Sequence, residues 1–145
     1  IQITSKSDKE TKNFAKKWAK SVLKLPGSVV FSLEGELGAG KTTFTQGFAQ
    51  GLKIKEKIQS PTFVILKIYR VKGLWTRVKQ LVHVDAYRLT SKDFKVFGWK
   101  EFVKNPQNII LVEWGNKIKN ILPKNTIRII FKHGKKSNER VVSVH

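Results

Sequence analysis

The stretch SVVFSLEGELGAGKTTF, residues 28–44, decides the fold that this 145-residue chain is expected to adopt. Residues 28–33 are mostly apolar and predict a buried strand, and residues 41–52 place apolar side chains at four-residue intervals and predict a helix. The residues between them match the pattern G-x-x-x-x-G-K-S/T at every position. A strand, a glycine-rich turn and a helix in this order predict a phosphate-binding loop.

The chemistry of phosphate binding explains the residue types in this loop. Consecutive backbone N–H groups at a helix start, together with the helix dipole, bind an anion, and glycines allow a close approach that side chains would block. Lys41 places a positive charge against the β- and γ-phosphates, and the Thr42 hydroxyl is a natural Mg²⁺ ligand. The sequence therefore predicts a nucleotide site whose phosphate-binding residues are Gly35, Glu36, Leu37, Gly38, Ala39, Gly40, Lys41 and Thr42.

A phosphate-binding loop also needs a carboxylate on another strand to organise Mg²⁺ and the attacking water. Among the 10 acidic residues, Asp85 and Glu113 each follow an apolar stretch that predicts a strand. Because strand carboxyl ends converge on the ligand crevice of an open α/β sheet, both are predicted to lie at the metal. Each carboxylate taken alone could instead face solvent or a lysine. His83, two residues before Asp85, could act as a base or form a structural hydrogen bond.

The remaining segments predict a mixed α/β sheet flanked by helices, in a single domain that spans residues 1–145. Ser7 and Glu10 have the spacing of a capping box, and the amphipathic pattern behind them predicts a helix ending near residues 26–27. Further strands are predicted at residues 1–4, 63–71, 79–85, 108–112, 126–132 and 140–144, and short helices at residues 91–103 and 118–122. Hairpin turns are predicted at residues 72–73 and at Gly134.

The chain is strongly basic, with 29 Lys and Arg residues against 10 Asp and Glu residues and a formal charge of +19. Such a charge on a small chain is typical of a nucleic-acid partner. Only five of the basic residues are Arg, however, and Lys also forms generic solvated surfaces. Both interpretations stay open, and any nucleic-acid binding through this charge is expected to be nonspecific in sequence.

The composition also excludes several classes of protein. Hydrophobic residues make up 40% of the chain, which is enough for a packed core. Cysteine is absent, which excludes disulfides, thiolate metal sites and cysteine nucleophiles. No apolar run approaches the roughly 20 residues that cross a bilayer, and no apolar segment stands at the start as a signal peptide. A soluble, cytoplasmic protein with no membrane partner is expected.

Four motifs, in their order and spacing, resemble the TsaE (formerly YjeE) family. They are GELGAGKTTF at residues 35–44, SPTF at 60–63, HVDAYRL at 83–89 and EW at 113–114. The resemblance covers nearly the whole chain and implies a small bacterial ATPase that uses ATP and Mg²⁺. It implies TsaB and TsaD partners in the complex that adds threonylcarbamoyl to an adenosine beside the tRNA anticodon, with TsaD carrying the transfer chemistry. ATP hydrolysis would reset the complex between turnovers, and tRNA would be reached through the complex.

The resemblance also implies roles for individual residues. The candidate catalytic residues are Lys41, Asp85 and Glu113, and the candidate metal ligands are Thr42, Asp85 and Glu113. Beyond the loop, the implied nucleotide contacts are Thr11, Thr43, Thr62 and Trp114, with Arg140 as a further candidate at the nucleotide edge. The chain departs from the family at Gly115, where proline is common, and at Asn116, where a second acidic residue is common.

Two other functions are compatible with these residues. A small-molecule kinase would use the same loop, but it needs an acceptor pocket and usually an Arg-bearing lid, and this chain has five Arg residues and no long insertion. A nonenzymatic RNA-binding module would exploit the +19 charge, but no RNA-recognition motif with paired aromatic residues is visible.

Overall fold

The computed structural model describes residues 1–60, 65–73, 76–96 and 98–145, with the backbone alone for Val96. Within these ranges the strands are β1 (Gln2–Ser5), β2 (Val29–Glu34), β3 (Leu66–Arg70), β4 (Gln80–Asp85), β5 (Asn108–Glu113), β6 (Ile127–His133) and β7 (Arg140–Val144). The helices are α1 (Asp8–Val22), α2 (Lys41–Gly51), α3 (Ser91–Val96) and α4 (Trp99–Lys104), and a 3₁₀ helix (Gly115–Ile121) follows β5. None of these helices combines the length and the apolar character needed to span a membrane.

The strands of the described ranges form one seven-stranded mixed sheet in the order β1-β7-β6-β2-β5-β4-β3. Strands β6, β2, β5 and β4 are parallel and form its centre. The outer pairs β3–β4, β6–β7 and β1–β7 are antiparallel. The parallel direction brings the carboxyl ends of β2, β4 and β5 to one edge of the sheet, which is where open α/β sheets bind ligands.

Helices cover both faces of the sheet. Strands β2 and β5 are buried along their whole length, which explains their nearly continuous apolar sequences. Successive side chains of a strand point to opposite faces, so Phe31 packs on the α1 and α2 side, where its ring centroid lies 5.3 Å from that of Phe48. Val30 packs on the other side with Trp99 of α4. The predicted mixed sheet flanked by helices is confirmed.

Glycines let helix α2 approach α1 closely. A Cβ atom on Gly47 would lie 2.4 Å from the Lys12 Cα atom, and one on Gly51 would lie 2.7 Å from the Ala19 Cβ atom. Real Cβ atoms do not come this close to other heavy atoms, so only glycine fits at these two positions. The contact fixes α2 against the sheet and thereby fixes the loop that precedes it.

The predicted cap of α1 is confirmed. The Ser7 Oγ atom accepts a hydrogen bond from the Glu10 backbone N–H at 3.2 Å, and a Glu10 carboxylate oxygen accepts one from the Lys6 N–H at 2.8 Å. The two side chains thus satisfy donors at the helix start that have no partner within the helix.

The predicted hairpin of β3 and β4 is confirmed, since the two strands pair antiparallel and the Val71 N–H donates to the Lys79 carbonyl at the predicted strand ends. The predicted helix at 91–103 is divided into α3 and α4, because Gly98 adopts a left-handed conformation with φ 70°. The hairpin of β6 and β7 at Gly134 is confirmed, whereas residues 63–64 of the predicted third strand lie outside the described residues.

Candidate functional site

The predicted phosphate-binding loop lies between the end of β2 and the start of α2. Gly35 has φ 147°, and a Cβ atom there would lie 2.4 Å from the Phe131 carbonyl oxygen on the neighbouring strand β6. Gly40 has φ 113° and directly precedes α2, which starts with no hydrogen bond from a capping side chain. These backbone angles favour glycine, and the first N–H groups of a helix have no partner within the helix, which leaves them available to a phosphate.

Lys41 lies inside this loop. Its ammonium donates to the carbonyls of Gly35, at 2.6 Å, and Glu36, at 2.8 Å, and lies 4.1 Å from the centre of the Trp114 ring. Burial lowers the pKa of Lys41 below its ordinary value, and the negative charges of Glu113 and Asp85 oppose that change without reversing it. The lysine is therefore a cation removed from water and held by carbonyl dipoles, which a phosphate oxygen could replace.

A partly exposed ion pair lies next to the loop, with 40% of the Arg128 side chain and 11% of the Glu34 side chain exposed. Glu34, the last residue of β2, accepts hydrogen bonds from Arg128 at 3.0 and 2.8 Å and from the Ser32 hydroxyl at 2.9 Å. Burial by itself would raise the pKa of Glu34, but the bonds from Arg128 and Ser32 and the charge of Arg128 together lower it. The pair ties β2 to β6 one residue before the loop begins.

The two predicted carboxylates meet at the sheet edge. Asp85 and Glu113 are direct partners in the register of β4 and β5, and both are buried. The Thr42 hydroxyl donates to the Glu113 Oε1 atom at 2.9 Å, while the Asp85 Oδ1 atom accepts the Tyr87 backbone N–H at 2.9 Å. The structure thus joins the start of α2 to the ends of two strands that are distant in sequence.

His83 is buried and lies beside one of these carboxylates. Its Nε2 atom is 2.5 Å from the Glu113 Oε2 atom, and none of the side chain is exposed. The structural hydrogen bond that the sequence allowed for is therefore present.

Aromatic side chains close one side of the site. Trp114 has a left-handed backbone, with φ 62°, and its ring centroid lies 4.9 Å from that of Tyr87. The Lys117 ammonium lies 4.1 Å above the Tyr87 ring and donates to the Tyr87 carbonyl at 3.0 Å. Gly115 is explained by packing, since a Cβ atom there would lie 2.0 Å from the Ser32 Oγ atom.

These groups surround a cleft of about 410 Å³. Its lining residues are Leu37, Gly38, Gly40, Lys41, Thr42, Thr43, Ser60, Asp85, Tyr87, Arg88, Glu113 and Trp114. Nine of these twelve were predicted as site residues, and the other three lie in motifs that carry the family resemblance, Ser60 in SPTF and Tyr87 and Arg88 in HVDAYRL, without a role of their own. Tyr87 and Arg88 follow Asp85 at the end of β4, so their nearness to a strand end was the signal that could have found them.

Other predicted contacts lie away from the cleft lining. The carbonyls of Gly35 and Glu36 accept hydrogen bonds from Lys41, and Ala39 is the buried residue of the loop. Thr11 is buried on α1, 2.7 Å from the Ser5 hydroxyl, and Arg140 donates to the Gly38 carbonyl at 3.2 Å from outside the loop. Thr62 lies outside the described residues. The predicted roles of these residues stay predictions.

The donor set of the cleft suits magnesium. Thr42, Asp85 and Glu113 offer only oxygen atoms, the ligands that Mg²⁺ prefers. The described part of the chain holds no group of three or more His, Asp or Glu side chains placed to bind a metal ion. Two carboxylates and a hydroxyl fit Mg²⁺, because it usually binds one or two carboxylates together with substrate phosphates.

The chain has three features that are typical of the P-loop NTPase fold. They are a parallel central sheet, a glycine-rich loop that leads into a helix, and carboxylates at neighbouring strand ends. A family model described as threonylcarbamoyl adenosine biosynthesis protein TsaE matches residues 5–142. The chain therefore belongs to the TsaE family.

Individual relatives agree with this assignment. The tRNA threonylcarbamoyladenosine biosynthesis protein TsaE of Bacillus subtilis is 42% identical over 123 residues, 85% of this chain and 72% of that protein. The protein of the same name from Rickettsia prowazekii is 37% identical over 144 residues, 98% of this chain and 92% of its own. The crystal structure of Bacillus subtilis YdiB is similar with a TM-score of 0.74 at 33% identity, covering 99% of this chain and 83% of YdiB.

Proposed function

We propose that this protein is the Mg²⁺-dependent ATPase subunit of the assembly that forms threonylcarbamoyladenosine in tRNA. One observation carries the proposal. The loop that holds Lys41 and Thr42 lies against Asp85 and Glu113, with a hydrogen bond of 2.9 Å between Thr42 and Glu113. The names of the relatives, tRNA threonylcarbamoyladenosine biosynthesis proteins, supply the pathway.

The residues of the cleft suggest how ATP would be hydrolysed. Backbone N–H groups at the start of α2 would bind the phosphates, and Lys41 would exchange two carbonyls for oxygens of the γ-phosphate. Bound Mg²⁺, held by Thr42 with Glu113 or Asp85, would neutralise charge on the β- and γ-phosphates. Asp85, held by the Tyr87 N–H, would orient the water for in-line attack. Trp114 would shield the lysine from solvent.

The protein is proposed to work with partners. A TsaD-like subunit would carry the transfer chemistry, and a TsaB-like subunit would complete the complex. Either could raise a low intrinsic rate, by supplying a group to the cleft or by closing the loop that contains Thr62. ATP hydrolysis would then reset the complex, and tRNA would be reached in the cytoplasm through the complex. The +19 charge supports this last step by attracting the polyanion.

The Lys41→Ala variant tests the catalytic site. We expect it to abolish phosphate release from Mg²⁺-ATP, because the ammonium that would neutralise charge on the γ-phosphate is removed. The circular dichroism spectrum should match that of the wild type, and thermal unfolding should stay cooperative. Lys20→Ala, which removes an exposed lysine on α1, is the matched control and should keep the wild-type rate. Unchanged hydrolysis in Lys41→Ala would refute the proposed site.

The biological role needs a second experiment. The tagged protein is expected to recover TsaD-like and TsaB-like subunits from the native lysate, with recovery that depends on ATP. Phosphate transfer that requires an added hydroxyl acceptor would favour the kinase alternative instead. Tight, salt-dependent RNA binding that ignores ATP, with no hydrolysis, would favour the RNA-binding module.

A further inference from the structure

The environment of His83 provides an observation that the proposed hydrolysis does not use. His83 lies in the buried strand β4, two residues before Asp85 and on the same face of the sheet. It is diagonal to Glu113 on β5, because Leu111 is its direct partner in the strand register. The ring therefore reaches the Glu113 carboxylate from the neighbouring strand.

The two oxygens of Glu113 have separate partners. Oε1 accepts the Thr42 hydroxyl at 2.9 Å, and Oε2 lies 2.5 Å from His83 Nε2. A glutamate side chain loses rotamer entropy when it is ordered, so its orientation needs such anchors. The carboxylate is thus held at both ends, and Thr42 is one of the proposed metal ligands.

The hydrogen-bonding capacity of each group assigns the ring proton. An ionised carboxylate only accepts hydrogen bonds, so the His83 Nε2 atom carries the hydrogen. His83 Nδ1 is buried and has no hydrogen-bond partner among the residues that the structure describes. A hydrogen on Nδ1 would be left buried without an acceptor, so the tautomer with Nε2–H is the one that fits.

We propose that His83 is a positioning residue, whose Nε2–H fixes the Glu113 carboxylate so that Oε1 faces Thr42. The proposal rests on the proposed function, since the value of this orientation lies in binding Mg²⁺ with a nucleotide. Side chains that orient metal ligands through hydrogen bonds typically contribute about 10- to 100-fold to metal affinity. His83 is not among the residues that line the cleft.

Three variants of β4 test this role by calorimetry. The quantity to measure is the ratio of dissociation constants for a non-hydrolysable ATP analogue in EDTA and in Mg²⁺. His83→Leu removes the donor and should reduce this ratio by about 10- to 100-fold, with little change in the metal-free affinity. His83→Gln keeps an amide donor and should restore most of the ratio. Val82→Ala, on the opposite face of β4, should lower stability and leave the ratio unchanged.

A second readout uses the ligand-free protein. The chain has three histidines, so ¹H–¹⁵N spectra of the imidazole rings can be assigned with His83→Gln. We expect a hydrogen-bonded Nε2–H signal for His83 that disappears in Glu113→Ala. This measurement also decides the proposal if His83→Leu does not fold.

The outcomes separate the two proposals. Three results would overturn the positioning role alone. They are a folded His83→Leu variant with the wild-type ratio of dissociation constants, a His83→Gln variant whose ratio is no higher than that of His83→Leu, and a His83 ring with its hydrogen on Nδ1. If Mg²⁺ does not raise the affinity of the wild-type protein for the ATP analogue, the proposed metal-dependent function is refuted, and so is the role of His83 in metal binding. In that case the ring spectra still decide whether His83 holds Glu113.

Discussion

The glycine at the base of the phosphate-binding loop allows a sharp test of how the loop is held. Replacing Gly35 by alanine adds one methyl group, which would lie 2.4 Å from the Phe131 carbonyl oxygen and at a backbone φ of 147°. Gly38 is the matched control, because its φ of 74° is also positive while a Cβ atom there has nothing within 4 Å. Both substitutions place a side chain at a positive φ, with the larger strain at Gly35, whose φ lies outside the left-handed region, and only Gly35→Ala adds a steric clash.

The expected cost of each substitution follows from these contacts. Alanine with a positive φ costs about 1–2 kcal/mol, which is the full penalty expected for Gly38→Ala. Gly35→Ala adds overpacking against a backbone atom of β6, typically about 1–3 kcal/mol, and β6 cannot move freely because it is paired on both sides. The clash alone should make Gly35→Ala less stable than Gly38→Ala by about 1–3 kcal/mol, and the greater backbone strain at Gly35 acts in the same direction.

Urea unfolding followed by tryptophan fluorescence measures the difference, since the chain has four Trp residues. In thermal unfolding, the same difference corresponds to about 3–12 °C for a chain of this size. Nucleotide affinity should fall further in Gly35→Ala, because relief of the clash moves the carbonyl that holds Lys41. Equal unfolding midpoints for the two variants would refute the steric explanation of Gly35.

Two further predictions concern the carboxylates of the site. Asp85→Ala should lower turnover by about 100-fold or more, with a smaller loss of nucleotide affinity, as rate measurements beside a nucleotide titration would show; equal losses would indicate a role in binding alone. Arg128→Ala should destabilise the protein by about 1 kcal/mol at pH 7, a modest value because Arg128 is partly exposed. The lowered pKa of Glu34 means that this contribution is present above pH 4.5 and is lost as the pH falls through the folded-state pKa. Urea unfolding of the wild type and of Arg128→Ala from pH 7 downward should show the difference between their free energies of unfolding becoming smaller. A difference that grows in acid would contradict the stabilising role of the Glu34–Arg128 pair.

The phosphate-binding loop and the first helix could be predicted because their information is local. The loop pattern occupies eight consecutive residues, 35–42, and its glycines are needed by the backbone angles of those same residues. The cap at Ser7 and Glu10 spans a single helical turn. The helix predicted at residues 91–103 was less accurate, because Gly98 adopts a left-handed conformation that divides it into α3 and α4.

The site beyond the loop required knowledge of which strands are neighbours. Asp85 and Glu113 could be predicted to lie at the same edge of a sheet, but their direct pairing follows from the adjacency of β4 and β5. The bond between His83 and Glu113 depends on the same register, which a shift of one residue would abolish. The packing of α1, which places the Thr11 hydroxyl against Ser5, could not be read from the sequence, and the predicted contact of Thr11 with a nucleotide stays a prediction.

The sequence by itself determined that a strand, a glycine-rich turn and a helix follow one another, because the patterns that predict these elements lie within a few positions of each other. Only the tertiary structure decided what faces the loop. The Glu34–Arg128 pair joins residues 94 positions apart, and the Thr42–Glu113 bond joins residues 71 positions apart. Such contacts exist only after the order and register of the strands are established, and that order results from burying both faces of the sheet at once.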